Sequence, residues 1–91
     1  VYFADTFDDA VAEANNTKYG LAAGLISDNE KLFDGFVRRI NAGVINFNST
    51  TTGASGAFPF GGIGRSGNLR PAGFYAADYC AWPKASIIKK L

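Results

Sequence analysis

The stretch that decides how this chain is interpreted is PFGGIGRSGN, residues 59–68. Its portion from Gly62 to Gly67 matches the G-x-G-x-x-G pattern of dinucleotide-binding folds. That pattern indicates a dinucleotide-binding site only when it directly follows a strand, begins a helix and precedes an acidic residue by about 20 positions. Here Pro59 interrupts the preceding strand, Pro71 interrupts any following helix, and residues 87–88 are isoleucines with no acidic neighbour. The sequence therefore disfavours a dinucleotide site in this stretch.

The glycines in and around this stretch have a different meaning. The chain has 11 glycines, and most of them lie between Gly43 and Gly73. Glycine is used where a backbone needs unusual dihedrals or must approach another group closely. We therefore expect this part of the chain to pass through a tight space.

Three motifs, in order along the chain, resemble those of the aldehyde dehydrogenase superfamily, whose members oxidise aldehydes to acids with NAD or NADP. PFGG at residues 59–62, with Ser66 and Gly67, is similar to the C-terminal signature of the superfamily. ANNTKYGLAAG at residues 14–24 resembles its AN-x-T-x-YGL-A element, and NAGVIN at residues 41–46 resembles its AG-x-V-x-N strand. The resemblance implies an α/β fold, namely the C-terminal part of the aldehyde dehydrogenase catalytic domain.

The same resemblance places the chemistry outside this chain. In the superfamily a Cys thiolate attacks the aldehyde, hydride passes to the nicotinamide, and a Glu-activated water hydrolyses the thioester. The Cys, the Glu and the NAD-binding fold all precede the matched motifs. We therefore expect no catalytic or cofactor-binding residue in this chain, and we expect the isolated chain to be inactive. The cofactor is expected only in the full-length enzyme, where NAD is favoured over NADP. A strand-like start at Val1 and the absence of methionine also suggest a piece of a longer protein.

Composition excludes several function classes. A chain of 91 residues is one domain at most, and a net charge of +1 without a basic run disfavours nucleic acid as a partner. No run of about 18 apolar residues is present, so no membrane span is expected. The single cysteine, Cys80, excludes an internal disulfide framework and agrees with a cytoplasmic location. Without histidine there is no imidazole to activate Cys80 and no histidine-bearing metal site. We expect Cys80 to be a small buried residue.

The hydrophobic pattern predicts an α/β unit over residues 1–47, a substrate-side loop over 48–70, and a short helix with an oligomerisation-type tail over 71–91. The order in the first unit is strand, helix, strand, helix, strand, which is typical of parallel strands with helical crossovers. The predicted strands are Val1–Ala4, Leu21–Ile26 (covered on both faces), Val44–Phe47 and an edge strand at Ala85–Leu91. The first predicted helix is capped by Thr6 and has Phe7, Ala10, Val11 and Ala14 on one face. The second has a Ser27/Glu30 capping box, an apolar face of Leu32, Phe33, Phe36, Val37 and Ile40, and Gly43 at its end, and a short third helix is predicted around Ala72–Ala77.

The predicted substrate-side loop is unusual because it has no charged side chain. None occurs from Asn41 to Gly64, whereas a flexible surface loop, the alternative interpretation, normally carries Lys, Glu or Asp. Glycines and hydroxyl residues can offer N–H and O–H donors to an anion without a fixed charge. The resemblance implies that this loop selects the aldehyde. It assigns substrate contacts to Thr52, Gly53, Ala54, Ser55 and Phe60 and a supporting role for the active-site loops to Asn46.

A further string from Tyr75 to Pro83, together with the Thr-Gly-Ala at residues 52–54, resembles one branch of the superfamily. That branch oxidises N-succinylglutamate 5-semialdehyde, a small dicarboxylate, in bacterial arginine breakdown. Two alternatives stay open: the glutamate-semialdehyde (pyrroline-carboxylate) branch, which shares Thr-Gly-Ala, and a non-catalytic assembly module. The superfamily uses its C-terminal strand for oligomerisation, so a homo-oligomer is expected. Arg65 and Arg70 are expected to face solvent or form ion pairs between subunits rather than bind a substrate carboxylate.

Overall fold

The computed structural model describes residues 1–69 and 71–91, so the expectation for Arg70 lies outside the described residues. Its elements in chain order are α1 (Phe7–Ala14), β1 (Tyr19–Gly20), β2 (Ala22–Leu25), α2 (Lys31–Arg39), β3 (Val44–Phe47), β4 (Pro59–Phe60), β5 (Ile63–Gly64), β6 (Ala72–Gly73) and α3 (Ala76–Tyr79). None of the helices in these two ranges is long and apolar enough to cross a bilayer.

Helix α1 begins at its predicted cap, but Ala10 and Ala14 of its predicted apolar face are exposed. The hydroxyl of Thr6 accepts a hydrogen bond from the backbone N–H of Asp9 at 3.1 Å, which satisfies one of the free donors at the helix start. Asp8 and Asp9 in the first turn add favourable charge near the positive end of the helix dipole. The carboxylate of Asp8 also forms an ion pair with Arg39 at 2.7 Å, which links α1 to the end of α2.

Helix α2 begins later than predicted, and the proposed Ser27/Glu30 capping box is wrong. Glu30 is itself the residue before the helix and makes no side-chain capping bond. The side chain of Asn29 accepts from the N–H of Lys31 at 3.1 Å instead. Ser27 cannot begin the helix because both its backbone N–H and its carbonyl are bonded to the side chain of Asn48.

The two helices pack on one face of a parallel strand pair. Strands β2 and β3 run parallel from the Ala22–Val44 pair to the Leu25–Phe47 pair. The core consists of the buried side chains Val11, Phe36 and Ile40 with, packed around them, Phe7, Ala23, Leu25, Phe33 and Ile45. The prediction that β2 is covered on both faces is wrong for this part of the protein. Alternate residues of β2 are exposed because both helices lie on the same side.

Both predicted terminal strands are absent from the described residues. Residues 1–4 and 81–91 have no strand pairing, and Phe3 and Ile87 are each 91% exposed. A strand requires a neighbouring strand to satisfy its backbone groups, and no described segment supplies one. The helix predicted around Ala72–Ala77 is also wrong, because Gly73 has φ +66 and, as part of β6, pairs with Pro59 of β4. A shorter helix, α3, starts only at Ala76.

Gly43 has a different role from the predicted helix terminus. Helix α2 ends at Arg39, followed by an extended Ile40. The N–H of Gly43 lies 3.2 Å from the carbonyls of Gly20 and Leu21. A Cβ on Gly43 would collide with the carbonyl of Gly61. Gly43 therefore allows residues 59–68, called the signature stretch below, to lie directly on the backbone of the α/β unit.

The same close approach repeats within the signature stretch, as the glycine content predicts. A Cβ on Gly62 would stand 2.8 Å from the carbonyl oxygen of Gly20. A Cβ on Gly67 would collide with the carbonyl of Gly62. The hydroxyl of Ser66 accepts from the N–H of Gly20 at 3.1 Å. Together with the antiparallel pairing of β1 and β5, these contacts join the YG and PFGG motifs into one unit.

Two glycine-to-alanine substitutions should therefore have opposite effects on stability. We expect Gly43→Ala to destabilise the protein by about 1–3 kcal/mol, the usual range for overpacking a tight site. Gly35 lies within α2 with open space around it, so Gly35→Ala should stabilise the protein by about 0.5–1 kcal/mol. Thermal unfolding of the two variants beside the wild type measures both effects. A similar melting temperature for both variants would contradict the close approach at Gly43.

Candidate functional site

A cavity of about 450 Å³ lies between β3 and the loop that follows it. Asn46 contributes to its wall from the strand, and Phe60 contributes from β4. Gly53, Ala54 and Ser55 form the loop side of the same wall. Loops that leave the carboxyl ends of parallel strands are the usual place for ligands in α/β folds. One wall of this cavity belongs to such a loop, whereas the other wall runs alongside β3 rather than at its carboxyl end.

The cavity brings together five of the six residues that the sequence analysis singled out. Asn46, Gly53, Ala54, Ser55 and Phe60 all line it. Thr52 does not line it. Its hydroxyl instead lies 2.7 Å from the hydroxyl of Thr50. Five of the six positions therefore meet at one cavity, and the contacts of all six with a substrate stay a prediction.

The loop side of the cavity is uncharged, and among its described lining residues Ser55 has the polar side chain. The hydroxyl of Ser55 accepts from the N–H of Ala57 at 3.2 Å, so its own proton is free to be donated elsewhere. The carbonyl of Ser55 accepts from the N–H of Phe58 at 3.1 Å, which turns the chain back toward β4. Gly53 has φ +126, a conformation that residues with a side chain rarely adopt. This wall can offer neutral donors to an anionic ligand.

Asn46 connects the strand to the loop. Its side-chain nitrogen donates to the carbonyl oxygen of Thr50 at 2.6 Å. Because Asn46 also lines the cavity, one side chain both shapes the wall and holds the incoming loop. This geometry is consistent with the supporting role that the resemblance assigned to it.

Asn48 is the positioning residue that the sequence analysis missed. It has φ +48, and its side chain makes two reciprocal bonds of 2.8 Å with the backbone of Ser27: Oδ1 accepts from the N–H, and Nδ2 donates to the carbonyl. Its own N–H donates to the carbonyl of Leu25 at 2.8 Å. The available signal was an Asn directly after a predicted strand, since Asn tolerates the left-handed conformation better than most residues.

The signature glycines bound a second cavity, of about 320 Å³, whose walls are largely apolar. They do not form a pyrophosphate cradle. The N–H of Ser66 donates to Ile63 at 3.0 Å, and that of Gly67 donates to Gly64 at 3.2 Å. No helix begins directly after Gly67. Because these N–H groups are occupied and no helix dipole follows, the residues do not fit a bound dinucleotide.

Cys80 is exposed, which corrects the prediction that it is buried. It directly follows the four-residue helix α3, and no described element covers it. Arg65 is exposed, as expected for a solvent-facing residue. Residues 1–69 and 71–91 contain no group of three side chains able to hold a metal ion.

Comparison with known proteins places these features in context. The model of the aldehyde dehydrogenase family matches residues 1–85. The N-succinylglutamate 5-semialdehyde dehydrogenase 2 of Caulobacter vibrioides is 62% identical over 82 residues, which cover 90% of this chain and 17% of that protein. The N-succinylglutamate 5-semialdehyde dehydrogenase of Photorhabdus laumondii is 58% identical over 84 residues, covering 92% of this chain and 17% of that protein. The chain thus spans about a sixth of the length of these relatives.

The fold also matches a solved structure. The NAD+ complex of an aldehyde dehydrogenase from Bacillus cereus superposes with a TM-score of 0.74 at 36% sequence identity, over 82% of this chain and 15% of that one. The sequence and structure matches confirm the predicted resemblance and the α/β class. The structure corrects the predicted element order at both ends, where the terminal strands are missing, and in the interior, where the short strands β1, β4, β5 and β6 were not predicted.

Asn48 should control the order of the loop over residues 49–58. Replacing it by alanine removes two hydrogen bonds, each contributing about 1 kcal/mol, and leaves a strained left-handed residue that costs roughly another 1–2 kcal/mol. We expect Asn48→Ala to accelerate amide hydrogen exchange in residues 49–58, measured by mass spectrometry. Ser27→Ala is the matched control, because Asn48 bonds only the backbone of Ser27. Equal exchange in both variants would argue against this anchor.

Proposed function

This chain belongs to the aldehyde dehydrogenase family, and we propose that it is the C-terminal segment of a member that oxidises N-succinylglutamate 5-semialdehyde to N-succinylglutamate. The single observation that carries the proposal is the uncharged, donor-bearing cavity formed by Asn46, Gly53, Ala54, Ser55 and Phe60. The names and high identity of the Caulobacter and Photorhabdus relatives support the choice of substrate.

The proposed task of this segment is to bind and orient the substrate. Backbone N–H groups around Gly53 and Ala54 would hold the α-carboxylate, since neutral donors form strong hydrogen bonds with an ionised oxygen. Phe60 would form an apolar wall beside the aldehyde chain. The nucleophile is not expected in this segment: Cys80 is exposed and does not line the cavity.

The cofactor is proposed to be NAD, which accepts hydride from the substrate when bound. The NAD+ complex of the Bacillus cereus neighbour supports a nicotinamide cofactor for the family. The signature glycines of this chain do not suit a dinucleotide, so its binding residues are proposed to precede this segment. We also propose a role in bacterial arginine catabolism, which goes with this substrate, and a cytoplasmic location, with which the single cysteine agrees.

The decisive experiment is an assay of the full-length enzyme with NAD. We expect kcat/KM for N-succinylglutamate 5-semialdehyde to exceed that for glutamate 5-semialdehyde, with N-succinylglutamate as the product. The 91-residue chain alone is the negative control and should form no NADH. A preference for the unsuccinylated aldehyde would favour the pyrroline-carboxylate branch, and activity of the isolated chain would overturn the assignment of the chemistry to other segments.

Gly53→Val tests whether the loop backbone anchors the carboxylate. The open space around Gly53 accepts a side chain, but φ +126 does not, so valine should redirect the neighbouring N–H groups. We expect KM for the succinylated aldehyde to rise at least tenfold and KM for a small neutral aldehyde to change little. Gly56→Val is the control, because Gly56 also has open space and lacks a positive φ. Equal losses for both aldehydes would instead indicate general misfolding.

We also propose that the exposed tail takes part in assembly. Residues 85–91 are all exposed, and Ile87 and Ile88 are large apolar side chains without cover in this chain. A strand-like segment of this kind is an association hazard unless it adds to another sheet, and Lys89 and Lys90 have the charge that keeps such an edge soluble. Removing residues 85–91 from the full-length enzyme should reduce its oligomeric state in sedimentation experiments. An unchanged oligomer would exclude this role.

A further inference from the structure

Two hydroxyl groups of the substrate-side loop lie outside the lining of the cavity, although the family resemblance assigns a substrate contact to one of them, Thr52. The Oγ1 atoms of Thr50 and Thr52 lie 2.7 Å apart, and both residues are exposed. The intervening Thr51 behaves differently: its Cγ2 lies 3.5 Å from the point where a Cβ on Gly24 would stand, so it packs against β2. Thr50 and Thr52 therefore form a distinct pair at the surface of the loop.

The chemistry of the pair follows from counting protons. Each hydroxyl carries one proton and accepts through its lone pairs. One proton occupies the short O···O contact, so the pair retains one O–H that can be donated outward. A hydroxyl that accepts one hydrogen bond while donating another takes part in a cooperative chain, which strengthens both bonds. An anionic oxygen is the acceptor that gains most from such a donor.

The pair is tied to the strand on one side and is adjacent in sequence to the cavity wall on the other. On one side, Asn46 donates to the carbonyl oxygen of Thr50 at 2.6 Å and thereby ties the pair to strand β3. On the other side, Thr52 precedes Gly53, which lines the cavity. Adjacent Cα atoms are about 3.8 Å apart, so the pair lies within a few ångströms of the loop backbone proposed to hold the α-carboxylate.

We propose that the Thr50–Thr52 hydroxyl pair binds the second carboxylate of the substrate, the one on the succinyl arm. This inference rests on the proposed function. In N-succinylglutamate 5-semialdehyde six covalent bonds separate the two carboxylate carbons, which allows a separation of roughly 7 Å at full extension. One donor group cannot serve both ends. The backbone near Gly53 binds the α-carboxylate, and the hydroxyl pair binds the distal one.

The test uses the full-length enzyme with NAD and two substrates that differ only in the distal group. One is N-succinylglutamate 5-semialdehyde, and the other is its N-butanoyl analogue, in which a methyl group replaces the distal carboxylate. Thr50→Val and Thr52→Val remove one hydroxyl each at nearly constant shape. We expect the double variant Thr50→Val/Thr52→Val to raise KM for the succinyl substrate about tenfold, as for the loss of a hydrogen bond to a charged group. Each single variant keeps one donor but loses its cooperative partner, so it should raise this KM by a smaller factor. We expect kcat to be nearly unchanged and the butanoyl substrate to be unaffected.

Two controls keep the outcome interpretable. Thr51→Val removes a neighbouring hydroxyl outside the pair and should leave both KM values unchanged, while Thr50→Ser retains a hydroxyl and should restore most of the lost affinity. Equal changes for the succinyl and butanoyl substrates, or a loss with Thr51→Val as large as with Thr50→Val, would overturn the proposal. A wild-type enzyme inactive on the succinyl substrate would instead overturn the proposed function itself. An active wild type with unaffected valine variants would overturn only this inference.

Discussion

Backbone-to-backbone contact at glycines is the constraint on which the rest of this structure depends. The signature stretch lies directly on the α/β unit: Gly43 faces the carbonyl of Gly61, and Gly62 faces the carbonyl of Gly20. Any side chain at these positions would push the signature stretch away from the α/β unit. The hydroxyl of Ser66, in the signature stretch, also accepts a hydrogen bond from the N–H of Gly20, in the YG motif. This bond links the two motifs directly. The three motifs that carry the family resemblance are thus one packed unit.

This packing determines where the substrate-side loop can lie. The loop is attached at its start by Asn48 to Ser27, a little further on by Asn46 to Thr50, and at its end by β4, whose partner is β6. All three attachments are hydrogen bonds between uncharged groups. A loop attached in this way has no fixed charge, and its hydroxyl and backbone N–H groups can serve as neutral donors. The proposed distribution of two carboxylates between the Gly53 backbone and the Thr50–Thr52 hydroxyls follows from that arrangement.

The elements that could be predicted are those whose stability is local. Helix α1 has its cap, its acidic first turn and its apolar face within nine consecutive residues, and it begins at its predicted cap. The terminal strands illustrate the opposite case. Residues 1–4 and 85–91 have apolar strand-like sequences, but a strand gains its hydrogen bonds only from a neighbour, and the described chain provides none. The start of α2 was mispredicted for a related reason, because Asn48, distant in sequence, occupies the backbone of Ser27.

The sequence by itself determined the family resemblance, the two main helices, the parallel strand pair and the group of residues that meet at the cavity. These features depend on short-range periodicity, on capping residues and on motifs contained in single stretches of chain. Only the tertiary structure decided the role of Gly43, the anchoring by Asn48, the exposure of Cys80 and the pairing of Thr50 with Thr52. Each of these depends on which groups a distant or folded-back segment brings within a few ångströms. No local pattern specifies that, because close approach and hydrogen-bond partnership are properties of the packed chain.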